Sequence, residues 1–129
     1  MDATKRMIHR ASGLPGNSEM LGPYQIEALL TAAEEAAGTA YRVRIEPHQQ
    51  TGVSYHKIAE EFYYVLAGAA TAILDGTPVV VKPGDFLRLP PGTRHAFVTT
   101  DDPLEMLDIH VPGCRPERDT YFEEAIVDL

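Results

Sequence analysis

Two stretches carry the reading of this chain: residues 47–68, Pro-His-Gln-Gln-Thr-Gly-Val-Ser-Tyr-His-Lys-Ile-Ala-Glu-Glu-Phe-Tyr-Tyr-Val-Leu-Ala-Gly, and residues 84–99, Gly-Asp-Phe-Leu-Arg-Leu-Pro-Pro-Gly-Thr-Arg-His-Ala-Phe-Val-Thr. In the first, His56 precedes the pair Glu60-Glu61 and an aromatic strand. In the second, the turn Pro90-Pro91-Gly92-Thr93-Arg94 delivers His95 to the start of a strand. A tight turn ending in a histidine at a strand start aims the imidazole inward. Two imidazoles facing one carboxylate suit a first-row divalent metal, and open positions on that metal suit non-haem iron chemistry.

Outward from these stretches the pattern has period two, which marks half-buried strands. Tyr41, Val43 and Ile45 alternate with Arg42, Arg44 and Glu46, and Pro47 ends that strand. Further strands are expected over 62–66, 70–74, 77–81, 86–89, 96–99 and 104–111. Asp75-Gly76 between two of them suits a type I′ hairpin turn. Many short strands with turn signals every 8–12 residues indicate a sandwich or barrel. Residues 1–23 hold Gly13, Pro15, Gly16, Gly22 and Pro23 and read as an extended arm before a single domain over 24–129. Residues 24–37 are ambiguous. Ile26, Leu29, Leu30 and Ala33 fit helical spacing, which favours a helix; a strand followed by an Ala/Glu-rich turn is the other reading. The tail from Pro116, with Tyr121, Phe122, Ile126 and Val127, reads as a turn of helix or an extended cover.

Taken together, the two stretches resemble the paired motifs of the cupins, G-x5-H-x-H-x3-4-E-x6-G followed by G-x5-P-x-G-x2-H-x3-N. The second is matched at Gly84, Pro90, Gly92 and His95. The resemblance implies an all-β jelly-roll barrel of two packed antiparallel sheets with a metal inside. Position by position, it implies His56, Glu61 and His95 as ligands of Fe, Mn, Ni or Zn. The chain departs from the motifs at His48, where they have Gly, at Ser54, where they have the first histidine, and at Thr99, where they have Asn. Ser54 lies two residues from His56, so on a strand both face one side, and its hydroxyl is placed to bond a metal-bound water or a substrate.

Strand alternation puts Tyr63 on the face of Glu61 and Phe97 on the face of His95, as pocket walls or as core packing. Phe62, Tyr64 and Leu66 then point away, toward the other sheet or a second subunit. Other readings stand beside these. His56 and His95 are hydrogen-bonded remnants if the metal has been lost, and Glu60 is the alternative inward carboxylate. His48 is a loop residue or a substitute ligand, and His110 faces either barrel or solvent. His9 is solvated, Arg88 and Arg94 are structural or hold an anion, and Cys114 is an unreactive thiol because nothing nearby in sequence lowers its pKa.

The chain has 129 residues and a net charge of −8, which disfavours nucleic acid and anionic membranes as partners. One cysteine allows no internal disulfide, and the N-terminus lacks an apolar signal core, so a cytoplasmic location is expected. Abundant Arg and Ala point to a bacterial source. The expected function is that of a small metal-dependent enzyme acting on a small organic molecule in secondary or carbohydrate metabolism. Dioxygenase, isomerase, cyclase and lyase chemistry all fit, and His56, Glu61, His95 and Tyr63 are the catalytic candidates. The alternatives are a ligand-binding module without turnover, and a metal-free enzyme of the sugar-epimerase kind using a histidine with Tyr63 as base and acid. A homodimer is expected by resemblance and because exposed edge strands call for cover.

Overall fold

The computed structural model describes residues 2–13 and 16–123. Eleven strands follow in chain order: β1 Ser18–Leu21, β2 Tyr24–Ala28, β3 Thr39–Ile45, β4 Ser54–Tyr55, β5 Glu60–Gly68, β6 Ala70–Leu74, β7 Thr77–Val81, β8 Phe86–Leu89, β9 His95–Val98, β10 Leu104–Val111 and β11 Tyr121–Phe122. Among the described residues, helix is confined to two 3-10 turns, Ala3–Lys5 and Ala32–Glu34. No helix there is long and apolar enough to cross a membrane.

The strands form two antiparallel sheets, as the jelly-roll expectation requires. One has six strands in the order β1-β2-β3-β10-β5-β8, and the other has five in the order β11-β4-β9-β6-β7. Their inner faces meet through aromatic contacts, with Tyr63 of β5 edge-on to Phe97 of β9 at 5.2 Å between ring centroids. Alternation in β3 is complete: Thr39, Tyr41, Val43 and Ile45 are buried and the residues between them are not.

Register places the chemistry. Across the six-stranded sheet, His110 of β10 pairs with Thr39 of β3 on one side and Glu61 of β5 on the other. The next inward row is Tyr41, Asp108 and Tyr63, and the next is Val43, Met106 and Val65. The inner face thus runs from a polar end to a hydrocarbon end. Val43, Ile45, Val65, Leu104 and Met106 are almost wholly buried at the latter. That packed end anchors strands whose other end carries buried polar groups.

The helix favoured for 24–37 does not form. Residues 24–28 are β2, paired with β3 from Tyr24↔Ile45 to Ala28↔Tyr41. Tyr24 and Ile26 enter the core as a strand face, so tertiary pairing overrides helical spacing. Only the Ala/Glu-rich run keeps a helical turn, at Ala32–Glu34, where Glu34 accepts a hydrogen bond from the Thr31 amide at 2.8 Å. The segment read as an arm is tied down. Its residues 18–21 form β1 against β2, and Arg10 makes a two-pronged contact with Glu34 at 2.9 and 3.1 Å. Pro15 and the tail residues Ile126 and Val127 lie outside the described residues.

Asp75 and Gly76 both have positive φ, 47° and 82°, as a type I′ hairpin demands. Gly68 also has positive φ, 82°, for a different reason. A Cβ there would run into the backbone carbonyl of Pro103, whereas one at Gly76 meets open space. Gly76→Ala should therefore cost only the backbone strain, roughly 1 kcal/mol. Gly68→Ala should cost more than twice that, because the Pro103 backbone must move. Urea unfolding of the two variants checks this, and equal losses would contradict it.

Candidate metal and acid–base site

The polar end of the sandwich is a cavity of about 460 Å³ including its mouth. His56, Glu61, His95, Asp108, His110 and Cys114 line it together with Tyr24, Tyr41, Tyr63 and Ser54. Glu61 is at its centre and only 1% exposed. An unpaired carboxylate at that depth is untenable, so its neighbours decide its state.

Three imidazoles surround it. His56 Nε2 lies 3.2 Å and His95 Nε2 3.1 Å from Glu61 Oε1. His110 Nε2 lies 2.7 Å from Glu61 Oε2. The far side of each ring fixes its protons. His56 Nδ1 meets the Asp119 carbonyl at 2.7 Å, and His95 Nδ1 meets the Thr93 carbonyl at 3.1 Å. A carbonyl only accepts, so both Nδ1 atoms carry hydrogen, and each Nε2 is turned toward Glu61. Anchoring of the far ring nitrogen on a backbone carbonyl is the usual support of metal-binding histidines.

His110 differs. Its Nδ1 sits 3.3 Å from Thr39 Oγ1, and that hydroxyl already donates to the Cys114 carbonyl at 3.0 Å. His110 Nδ1–H therefore donates to Thr39, and its Nε2 faces the carboxylate as a second N–H. His110 is an imidazolium paired with Glu61.

Acidities follow from these contacts. Burial alone would raise the Glu61 carboxyl, but the neighbouring imidazoles, His95 first, hold it well below the usual range. Burial opposes the charged form of His56, yet contacts with Cys114 and Glu61 raise its pKa to about 10. For His110, Asp108, Cys114 and Glu61 overcome burial and raise it to about 11. Burial and then the charge of Glu61 push Asp108 well above the usual carboxyl range. Tyr63 is raised by burial and then by Asp108 and Glu61.

Among the described residues, three buried side-chain atoms have no hydrogen-bond partner: His56 Nε2, Glu61 Oε1 and Asp108 Oδ1. The first two face each other at contact distance without hydrogen-bond geometry. His56, Glu61 and His95 each offer a ligand atom within 4.8 Å of the others. Two nitrogens and one carboxylate oxygen aimed at one region, with His56 Nε2 and Glu61 Oε1 lacking partners, fit a divalent transition metal. Ser54 Oγ lies 3.3 Å from His95 Nε2, beside that region.

Tyr63 lines the cavity, edge-on to His95 at 6.0 Å. Phe97 does not line it; fully buried, it packs behind Tyr63 and Tyr24 and belongs to the core. Glu60 faces outward and pairs with Arg88. Arg94 covers the Tyr55 ring and pairs with Glu123 at 2.9 Å. His48 is at the surface, 3.3 Å from Asp101. Tyr64 and Leu66 are exposed on the outer face, and Phe62 stacks on exposed Phe86.

The reading of Cys114 as an unreactive thiol needs correction. Its Sγ lies 3.5 Å from His56 Nδ1 inside the cavity wall. Burial raises its pKa, but His110 and His56 outweigh burial and leave it lowered. Cys114 is 58 residues from His56, so local sequence carried no signal of that contact, although His110 lies only four residues before it. Asp108 was also missed, although it alternates with His110 on one strand and must share its face.

The profile of the Cupin_2 family, described as "Cupin domain", matches residues 41–110. Protein SchB of Streptomyces halstedii is 32% identical over 96 residues, which is 73% of this chain and 70% of SchB. Quercetin 2,3-dioxygenase of Bacillus subtilis is 36% identical over 59 residues, 46% of this chain but only 18% of that enzyme. Among solved structures, the polyketide cyclase RemF from Streptomyces resistomycificus superposes with a TM-score of 0.74 at 22% identity, covering 92% of this chain and 88% of RemF. At that identity the likeness to RemF shows a shared fold. With its two motifs, its facing sheets and a family match spanning the strands that hold the site, this chain belongs to the cupins.

Proposed function

We propose that the chain is an enzyme that holds a divalent transition metal at His56, Glu61 and His95. On this reading it catalyses cyclisation with loss of water on a small aromatic or polyketide-type molecule of bacterial secondary metabolism. The observation that carries the reading is the convergence of His56 Nε2 and His95 Nε2 on one carboxylate oxygen, Glu61 Oε1, that lacks a hydrogen-bond partner in a buried, tyrosine-lined cavity. Similarity to RemF, a polyketide cyclase, supports the choice of reaction.

A bound divalent ion would supply Lewis acidity to a carbonyl or enolate oxygen. The chain's own residues do the rest. Tyr24, Tyr41 and Tyr63 supply apolar walls that orient a flat ring system and exclude water. His110 holds a proton at Nε2, shared with Glu61 Oε2, where a departing hydroxyl can take it up. Asp108, whose carboxyl is pushed up by burial and Glu61, lies in the next row of the sheet as a second acid candidate. In the proposed step a carbon–carbon bond forms between an enol carbon and a carbonyl carbon; the resulting hydroxyl leaves as water with the proton held at His110 Nε2, the adjacent carbon gives up its hydrogen to form the double bond, and that proton restores His110.

A second reading, dioxygenation of a phenolic substrate, draws on the partial likeness to quercetin 2,3-dioxygenase. Oxygen consumption separates the two: cyclisation uses none.

Zn²⁺ or Co²⁺ should bind with about one equivalent per chain after reconstitution, and His95→Ala should abolish it, by titration calorimetry. Wild-type protein that takes up no metal would contradict the site. The ion must displace the proton that metal-free His56 holds, since that group's pKa is raised to about 10. Affinity should therefore rise between pH 6 and pH 8, about tenfold per unit where one proton is released. A flat profile would show that His56 Nε2 is not a ligand.

With poly-β-ketone substrates, the product should be lighter by one water. His110→Gln should lower kcat about 100-fold while metal content stays at the wild-type level. Unchanged turnover in that variant would remove His110 from the chemistry.

A further inference from the structure

Residues 113–123 run from the end of β10 across the cavity, and Cys114, Arg115, Pro116, Thr120 and Phe122 form part of its wall. This strap is held at its far end by β11 pairing with β4, Tyr121↔Tyr55 and Phe122↔Ser54. The Tyr55 and Tyr121 rings stack at 5.4 Å. It is folded on itself by two backbone hydrogen bonds between Arg115 and Arg118, at 2.9 and 3.0 Å.

Asp119 sits at the crest of the strap with φ of 59°, in the left-handed region. Its carboxylate accepts from three successive amides of the loop that follows His56: Lys57 at 2.8 Å, Ile58 at 3.2 Å and Ala59 at 2.9 Å. Its own backbone carbonyl accepts from His56 Nδ1 at 2.7 Å. One residue thus grips both the loop carrying His56 and the ring of His56. The side chain fixes the backbone, and the backbone fixes the imidazole.

Resting on the metal-site reading above, we propose that Asp119 is a positioning residue for the metal. It fixes the His56 Nδ1–H on a backbone carbonyl and turns Nε2 toward Glu61 as the nitrogen that takes the ion. A carbonyl cannot donate, so while this grip holds, Nδ1 keeps its hydrogen and coordination is directed to Nε2. The grip also denies Nδ1 to the alternative cluster of His56, His110 and Cys114, whose ligand atoms also lie within 4.8 Å of one another. Asp119 thereby selects the Glu61 side of His56 over the thiol side. Such supporting contacts are worth roughly 10- to 100-fold in metal affinity.

The carboxylate accepts three amides, and Asn cannot reproduce that, because its NH₂ group would face an amide donor. Asp119→Asn therefore loosens the grip while tolerating the positive φ, and Asp119→Gly removes the side chain without straining the backbone. Tyr121→Ala is the control: it loosens the strap at its stacked end and leaves Asp119 in place. Co²⁺ titration by calorimetry on the full chain should show a 10- to 100-fold loss of affinity in both Asp119 variants and less than threefold in Tyr121→Ala, although all three melt lower. In metal-free protein, the proton NMR signal of His56 Nδ1–H, assigned by its loss in His56→Gln, should be protected from exchange in wild type and in Tyr121→Ala. It should exchange out in the Asp119 variants.

Equal affinity losses in Asp119→Asn and Tyr121→Ala would overturn the proposal, since the strap would then act only as structure. So would wild-type affinity with the Nδ1–H signal still protected in both Asp119 variants. If wild type binds no Co²⁺, the metal reading fails by itself, and the NMR comparison still decides whether Asp119 holds the His56 ring.

Discussion

A buried carboxylate governs this structure. Glu61 lies in the wall of the sandwich with almost no exposure, near the start of the strand between β10 and the edge strand β8 of the six-stranded sheet. Leaving a charge there without partners would cost more than a small domain's net stability. Three imidazoles from three separate parts of the chain converge on it: His56 after β4, His95 at the start of β9 and His110 on β10. The two sheets must therefore face each other in this register for the charge to be tolerated.

The two oxygens of that carboxylate do different work. Oε2 is matched by the His110 imidazolium, which is itself fixed through Thr39 and the backbone of Cys114. Oε1 faces Nε2 of His56 and Nε2 of His95, whose Nδ1 hydrogens go to backbone carbonyls. One side of the group is paired with His110, and the other is the edge at which the proposed metal would sit. Ser54 stands where the motif would have a third coordinating histidine, and it contacts His95.

Sequence exposed much of this and hid the rest for definite reasons. Period-two alternation revealed most strands, because buried and solvated faces impose it directly. It did not reveal β4 and β11, which have two residues each and no period to read. Residues 24–28 misled because Ile26 fits both a helical set with Leu29 and Leu30 and a period-two set with Tyr24, and only pairing with β3 decides between them. The motif spacing pointed to His56, Glu61 and His95. His110, Asp108, Cys114 and Asp119 lie beyond the second motif and enter the site only through sheet register and the course of the final strap. The alternation of Asp108 and His110 along β10 was a usable signal for a polar inward face. Nothing in the sequence around Asp119 indicates that it reaches back across the chain to residues 56–59.

The division of labour at Glu61 is tested most directly by X-ray absorption at the cobalt edge of the Co²⁺-loaded protein. The account predicts a light-atom shell of imidazole nitrogen and oxygen at about 2.0–2.2 Å, with the outer-shell pattern of two rings and no sulfur. A sulfur shell near 2.3 Å would place the ion with Cys114, and a shell without imidazole would place it elsewhere; either would contradict the site described.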